Sequence, residues 1–334
     1  MELILATANG QEERTIFDDF DIEVSLSPDV ESTFQISVAT SAWDRSFLFD
    51  ERVYVPDTEY GGIIKDIEAN ANADEIYVRG YTWRGYLAHR IISPPSGADY
   101  YIVSGELNEV IRTVVGSTFG DIFRVSEEDT GVSVNNYQFA RYVDMNAGLS
   151  AMLATKGYRL DITYVQTDLS GYVMLSAQPA DTYQDDVELS QDLMLAFSSE
   201  DNRMGINHLV CLGTGELRDR VVQHLYADRN GKISETKTIS GIDEIVGVYE
   251  DTSADAEALV SSATDRFKEM INKKSFQANF NNTDDLIMTL NLGDIITGRD
   301  YITGSTERKP IARKIINRSN GIIKISYRIE GELL

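Results

Sequence analysis

The sequence predicts an α+β chain that is mainly β. Three observations carry this. Asn-Gly occurs at Asn9-Gly10, Asn230-Gly231 and Asn320-Gly321, each time between strand-like residues. That pair favours the type I′ turn whose twist suits a hairpin. Several stretches alternate apolar and polar residues, as a strand with one buried face does. Helical stripes are few, with three segments carrying one.

The elements follow in order. Leu3 to Ala6 is a short apolar run leading into Asn9-Gly10, and Ile76 to Tyr81 reads as a strand. Ser104 precedes a stripe of Leu107, Val110, Ile111 and Val114 and is expected to cap the first helix. A second helix is expected from about Met145 to Thr155, with Leu149, Met152 and Leu153 inward and Gly157 as its stop. Leu160, Ile162 and Tyr164 alternate, turn through Asp168-Leu169-Ser170-Gly171, and return along Tyr172 to Ala177. Thr252 and Asp255 fit a capping box ahead of Ala256, Leu259, Val260, Ala263, Phe267, Met270 and Ile271. Lys273-Lys274 would place cations at the end of this third helix. After Asn320-Gly321, Ile323, Ile325, Tyr327 and Ile329 alternate with Lys324, Ser326, Arg328 and Glu330.

This order divides the chain. Residues 1–93 form an N-terminal β-barrel domain, closed by Ser93-Pro94-Pro95-Ser96-Gly97, which reads as a linker. Residues 98–190 form an α+β domain. Residues 191–222 and 276–334 form a second β-barrel domain, and residues 223–275 are a hairpin-plus-helix insertion in it. A weak internal similarity supports two small barrels. Ile63-Ile64-Lys65-Asp66-Ile67 leads into Ile76-Tyr77-Val78-Arg79-Gly80, as Ile311-Ala312-Arg313-Lys314-Ile315 leads into Ile323 to Arg328.

The 334 residues hold 54 acidic and 30 basic side chains, a formal charge of −24. That balance argues against nucleic-acid binding and against docking on anionic lipid. Charge is also uneven. Residues 1–75 carry 18 acidic and 4 basic side chains, and residues 301–334 carry 7 basic and 3 acidic. Either these are solvated surfaces, or complementary ends meet between copies and favour ordered assembly. No run approaches the length of a membrane span, and MELILATANG is not a signal peptide, so a soluble protein without stable membrane insertion is expected.

Cys211 is the only cysteine, which excludes internal disulfides and cysteine-rich zinc sites. The three histidines, His89, His208 and His224, leave little for histidine catalysis. His208 and Cys211 stand three apart, so on a strand they face opposite sides, and Cys211 reads as a buried hydrophobe. Gly213-Thr214-Gly215 lacks the third glycine and the following helix of a dinucleotide loop, so it reads as a turn. Asp228-Arg229-Asn230-Gly231 fits a hairpin better than a calcium loop, because glycine falls at position four and Ile239 at position twelve. Asp185-Asp186 and Asp284-Asp285 are adjacent by composition and receive no role. Tyr81, Trp83 and Tyr86 suit either a sugar platform or a core or subunit interface, and the latter is favoured. No catalytic, cofactor-binding or metal-binding residue is assigned.

Two runs carry a resemblance. Gly62-Ile63-Ile64-Lys65-Asp66-Ile67-Glu68 is followed by Val78-Arg79-Gly80-Tyr81-Thr82-Trp83-Arg84-Gly85-Tyr86-Leu87-Ala88-His89-Arg90. Together they resemble the N-terminal barrel of phage tail hub proteins, the siphophage tail-tip proteins related in fold to the baseplate hub of T-even phages. Asn207 to Gly213, with Gly215-Glu216 and Arg220-Val221, looks like the opening of that family's second barrel. Asp243-Glu244-Ile245 and Tyr249-Glu250 look like its insertion, and Leu292-Gly293-Asp294-Ile295-Ile296 like its final barrel. The match runs in order along nearly the whole chain. The resemblance implies a structural protein and not an enzyme, a homotrimer whose six barrels ring a DNA channel. It also implies a place in the virion tail tip or baseplate, after synthesis in the host bacterial cytoplasm. Its expected partners are a distal tail or tube protein, the tape measure, and a spike or fibre. The rival readings are a tail-associated cell-wall hydrolase and a carbohydrate-binding module.

Overall fold

The computed structural model describes residues 1–70, 72, 74–167, 170–189, 194–202, 204–229, 231–271, 273–281, 290–299 and 306–329. Strands predominate, as the alternation predicts. Their turns differ in kind. Asn320 and Gly321 both take positive φ, 51° and 77°, the type I′ pair, and set Ser319 opposite Ile322. At Asn9-Gly10 only the glycine does, with φ 83°. There Gly10 N–H donates to Thr7 at 2.8 Å and Thr7 N–H to Gln11 at 2.9 Å, closing a longer, bulged loop. The same two bonds recur from Gly231 to Asp228 and from Asp228 to Lys232, at 3.1 and 3.0 Å. Asn230 itself, Asp168-Leu169 and Asp284-Asp285 lie outside the described residues.

The chain divides into two compact units, residues 1–197 with 277–334, and residues 198–276. In the first, strands from the two chain ends share one sheet. Part of its order runs Ile322–Ile329, Thr306–Ser319, Asp19–Ser25, Thr33–Ala39, Glu75–Tyr81, Asp66–Asn70, each neighbouring pair antiparallel. The two similar hairpins seen in the sequence, expected in separate barrels, flank the pair Asp19–Ser25 and Thr33–Ala39 in this sheet.

Acidic and basic ends meet at that seam within the chain. Glu23 pairs with Arg313 across the two central strands. Asn317 Nδ2 donates to Asp21 at 2.6 Å, and Asn320 N–H to Asp19 at 2.9 Å. Arg318 donates to the Ile16 carbonyl at 3.2 Å.

The α+β segment supplies the rest of this unit. Helices α1 (Trp83–Ala88), α2 (Leu107–Val115) and α3 (Met145–Ala154) pack with the hairpin Tyr158–Gln166 and Gly171–Pro179. Helix α1 is not legible in the sequence, because its six residues show no apolar period. Thr82 caps it. Glu106, not Ser104, caps α2, since Ser104 lies within the strand Ile102–Glu106. The linker does not separate two cores. Tyr54, Trp83 and Leu87 share a single core with Leu107, Ile111, Leu149 and Tyr164.

The second unit is a four-stranded sheet ordered Ile233–Ser234, Val222–Ala227, His208–Leu212, Val246–Glu250. Helix α4 (Ala256–Met270) covers one face, burying Leu259, Ala263 and Phe267 against Leu209, Cys211 and Leu225. Asp255 caps α4, and Lys273-Lys274 opens the next strand instead of ending the helix. The strand His208–Leu212, expected in the second barrel, takes its ladder partners from Val222–Ala227 and Val246–Glu250.

Candidate functional site

The glycines of the first resemblance motif mark a close crossing. A Cβ on Gly62 would collide with the Tyr81 carbonyl, and one on Gly80 with the Ile63 carbonyl. Only glycine lets the strand Gly61–Ile63 pass backbone to backbone over Glu75–Tyr81. The crossing is followed directly by α1, which carries Arg84 into the interior.

Arg84 is 1% exposed and makes three kinds of contact. Its Nε donates to Glu59 at 2.7 Å, Nη1 to the Asn146 amide oxygen at 3.0 Å, and Nη2 to the Leu160 carbonyl at 3.2 Å. Asn146 passes the chain on, donating to the Ser25 carbonyl at 3.1 Å. A guanidinium holds five donors in a fixed fork, so one side chain can fix several segments.

A second group sits beside it. Asp294 is fully buried and accepts from the Asn291 and Asp181 N–H groups at 2.8 and 3.1 Å. Arg159 Nε lies 3.1 Å from it, with its N–H not aimed at the oxygen, and Arg159 also pairs with Asp161. Burial pushes the Asp294 carboxyl up, against the pull of those N–H groups and Arg159. Lys314 Nζ stands between the rings of Tyr60 and Tyr327, 5.1 Å from each centroid, and donates to the Leu290 carbonyl at 2.9 Å. Burial pushes this lysine down to about 8, while Glu59 and Asp294 oppose the shift. A cavity of about 230 Å³ opens among Glu59, Arg84, Arg159, Asp161 and Lys314. Positive and negative groups balance here. The cluster joins residues 57–60, α1, α3, the Tyr158–Gln166 strand and the C-terminal strands. Such a cluster suits holding segments in register better than reacting with a substrate. Sequence reading missed it, since its members are scattered from Glu59 to Lys314.

The residues singled out in the sequence fall elsewhere. Trp83 is fully buried, stacked 5.3 Å from Tyr164, so it offers no sugar platform. Cys211 lies in the core under α4, and burial pushes its thiol up to about 11. His208 is on the opposite face of that sheet. There its Nδ1 meets Glu244 at 2.7 Å and its Nε2 meets His224 Nδ1 at 2.8 Å. Gly213-Thr214-Gly215 leads through a 3-10 turn into the strand Val222–Ala227. Asp185 and Asp186 lie on the strand Thr182–Leu189. No helix among the described residues is long and apolar enough to cross a membrane.

No family model matches the chain, and no curated protein does. Solved structures do match. The 43 kDa tail protein of prophage MuSo2 from Shewanella oneidensis is 14% identical, with a TM-score of 0.55 over 98% of each chain. A tail protein from Neisseria meningitidis is 12% identical, with a TM-score of 0.50 over 99% of this chain and 97% of that one. A chain of the phage P2 virion baseplate in its activated conformation is 11% identical, with a TM-score of 0.51 over 99% of both. The chain therefore has the mainly-β fold seen in phage tail and baseplate proteins.

Proposed function

We propose that this chain is a structural hub of a phage or prophage-derived tail tip or baseplate. The observation that carries the reading is the end-to-end match. Tail proteins are matched over 98% or more of this chain and 97% or more of their own. A shared module would match in part, whereas here the whole architecture is common to both.

In this reading three copies form a pseudo-hexameric ring. It joins a six-fold tail tube to a three-fold spike or fibre and leaves a channel for DNA. Its partners are the distal tail or tube protein, the tape measure, and the spike or fibre. The net charge of −24 would let DNA pass without adhering. The reading makes the chain a non-enzyme, and the balanced, buried character of the Arg84–Lys314 cluster supports that. Light scattering over a range of concentrations tests it. A species near three times 37.3 kDa, with rings in particle images, is expected. A strict monomer, both alone and mixed with its tail neighbours, would overturn the trimer. Turnover of purified cell wall would bring back the hydrolase reading.

A further inference from the structure

The face of the second unit turned away from α4 carries a side-chain chain that the hub reading does not use. Lys237 Nζ donates to Glu244 at 2.7 Å, and Glu244 meets His208 Nδ1 at 2.7 Å. His208 Nε2 meets His224 Nδ1 at 2.8 Å, and Tyr226 stacks on His208 with centroids 4.5 Å apart. The ladder builds this. His208 is opposite Tyr226 and Val210 is opposite His224, so the two histidines are diagonal neighbours on one face.

The protons follow from the partners. A carboxylate only accepts, so His208 Nδ1 carries the hydrogen and Nε2 carries the lone pair. In the neutral pair, His224 Nδ1–H fills the gap. Two imidazole nitrogens thus face one position, with a single proton between them. A carboxylate behind the first ring fixes its tautomer. Metal-ligating histidines are oriented in the same way, by a carboxylate on the far nitrogen.

We propose that His208 Nε2 and His224 Nδ1 form a two-imidazole site for a divalent transition-metal cation of the copper(II) or nickel(II) type. Glu244 acts as the positioning residue for His208. Imidazole suits these ions, which prefer tetragonal geometry and fill remaining positions with water. With metal–nitrogen bonds of about 2.05 Å, cis ligands at a right angle lie about 2.9 Å apart, and tetrahedral ligands about 3.3 Å apart. The present 2.8 Å separation is that of the hydrogen bond which now joins the two nitrogens. The ring centroids are 5.1 Å apart, so the rings now meet head-on. Binding therefore requires His224, on the exposed side, to swing so that both lone pairs converge. His224 moves its proton to Nε2 through solvent, and both rings stay neutral. Among the described residues no group of three side chains is placed to hold a metal ion, so water completes the shell.

The test is titration of the full chain with copper(II) chloride, followed by calorimetry and electron paramagnetic resonance. One equivalent per chain with coupling to two nitrogens is expected. His224→Gln should weaken binding by at least about tenfold, because the chelate falls to one imidazole. Glu244→Gln should weaken it about 10–100-fold while the two-nitrogen signature persists. His89→Gln should change nothing, since that ring lies in the other unit, tilted against Tyr81. Single-nitrogen coupling in the parent chain, or undiminished stoichiometric binding in a folded H208Q/H224Q variant, would overturn the proposal. Circular dichroism of each variant shows whether α4 and its sheet remain folded.

Discussion

The two units are held together in opposite ways. In residues 198–276, the side-chain ties are nearer in sequence. Asn207 and Ile245 are 38 positions apart, His208 and Glu244 are 36, and Arg220 and Glu250 are 30. In the other unit the decisive ties are remote. Asp19 and Asn320 are 301 positions apart, and Asp21 and Asn317 are 296. The local unit relies on one helix over one sheet and an apolar core. The remote unit adds a buried polar cluster where its segments meet. Remote closure costs more loop entropy before its contacts form. An apolar surface gives no register to such a meeting, whereas a guanidinium fork does. That pairing of remote ties with buried charge is the lesson of the comparison.

Breaking the cluster is the largest test of it. Arg84→Ala leaves Glu59 and Asn146 without their donor in a buried site. Removing one partner of a buried pair costs about 3–5 kcal/mol. Trp43 and Trp83 are the only tryptophans, and both lie in the remote unit. Their fluorescence during urea unfolding reports that unit alone. The midpoint should fall with Arg84→Ala, and part of the loss should return in Arg84→Met with Glu59→Gln. A cost below about 1 kcal/mol would place the cluster among ordinary surface pairs and break the comparison.

The local unit answers to a different change. Leu259→Ala removes a fully buried side chain between α4 and the strands. A cavity of this kind costs about 3 kcal/mol. Far-UV circular dichroism should show earlier loss of the α4 signal, with the tryptophan transition unmoved. A tryptophan transition that shifted in step would mean that the chain unfolds as one cooperative body.

The same contrast governs what was legible in the sequence. In the local unit the helix was legible, because the stripe from Leu259 to Phe267 is continuous in sequence, but the cap is Asp255 where the expected capping box starts at Thr252. Even there, His224 was invisible as the partner of His208. The loop from Gly213 to Val221 hides the register, and only the ladder brings the rings together. In the remote unit some strands were legible, among them Ile76–Tyr81 and Ile323–Ile329, while Asp19–Ser25 and Thr33–Ala39 were not. The strand order was not legible either. Alternation says which face is wet, but not that Asp19–Ser25 lies against Thr306–Ser319. The acidic and basic ends held part of that information, but charge alone does not distinguish a solvated surface, a partner within the chain and a partner outside it. Arg84 lay inside a quoted motif. Nothing in its spacing says that Glu59, Asn146 and the Leu160 carbonyl converge on it.

Lys314 sharpens the comparison through pH. Its folded-state value is pushed down to about 8, below the usual lysine range, by burial between Tyr60 and Tyr327. The unfolded chain therefore binds the extra proton between about pH 8 and 10.4, so stability of the remote unit rises with pH in that window. Burial raises Tyr60 and Tyr327, so these groups resist ionisation when folded and oppose the gain above about pH 10. A rise of about 1.6 kcal/mol between pH 8 and 9.5 is expected in tryptophan-monitored unfolding. It should vanish in Lys314→Met. Stability that stayed flat across this range would mean that the buried lysine is charged in both states.

The smallest test uses one device found in both units. Glu106 caps α2 by accepting from Glu109 N–H at 2.9 Å, and Asp255 caps α4 by accepting from Ala258 N–H at 3.0 Å. The bond to the helix is the same in kind. Asp255 is exposed and serves α4 alone, so Asp255→Ala should cost about 1 kcal/mol, read in the α4 signal. The other oxygen of Glu106 accepts from Thr130 N–H at 3.0 Å and Thr130 Oγ at 2.6 Å, which anchors a loop 24 residues away. These two bonds also hold the Glu106 carboxyl below its usual range, against burial. Glu106→Ala should therefore cost about 2 kcal/mol, the cap plus charge-assisted bonds, read in the tryptophan transition. Thr130→Val should show only part of the difference between the two caps, because it removes the Oγ bond and leaves the residue 130 N–H bond and the local cap in place. Equal costs for the two alanine variants would mean that remoteness adds nothing at a helix end, and that the contrast between the units rests on the Arg84 cluster alone.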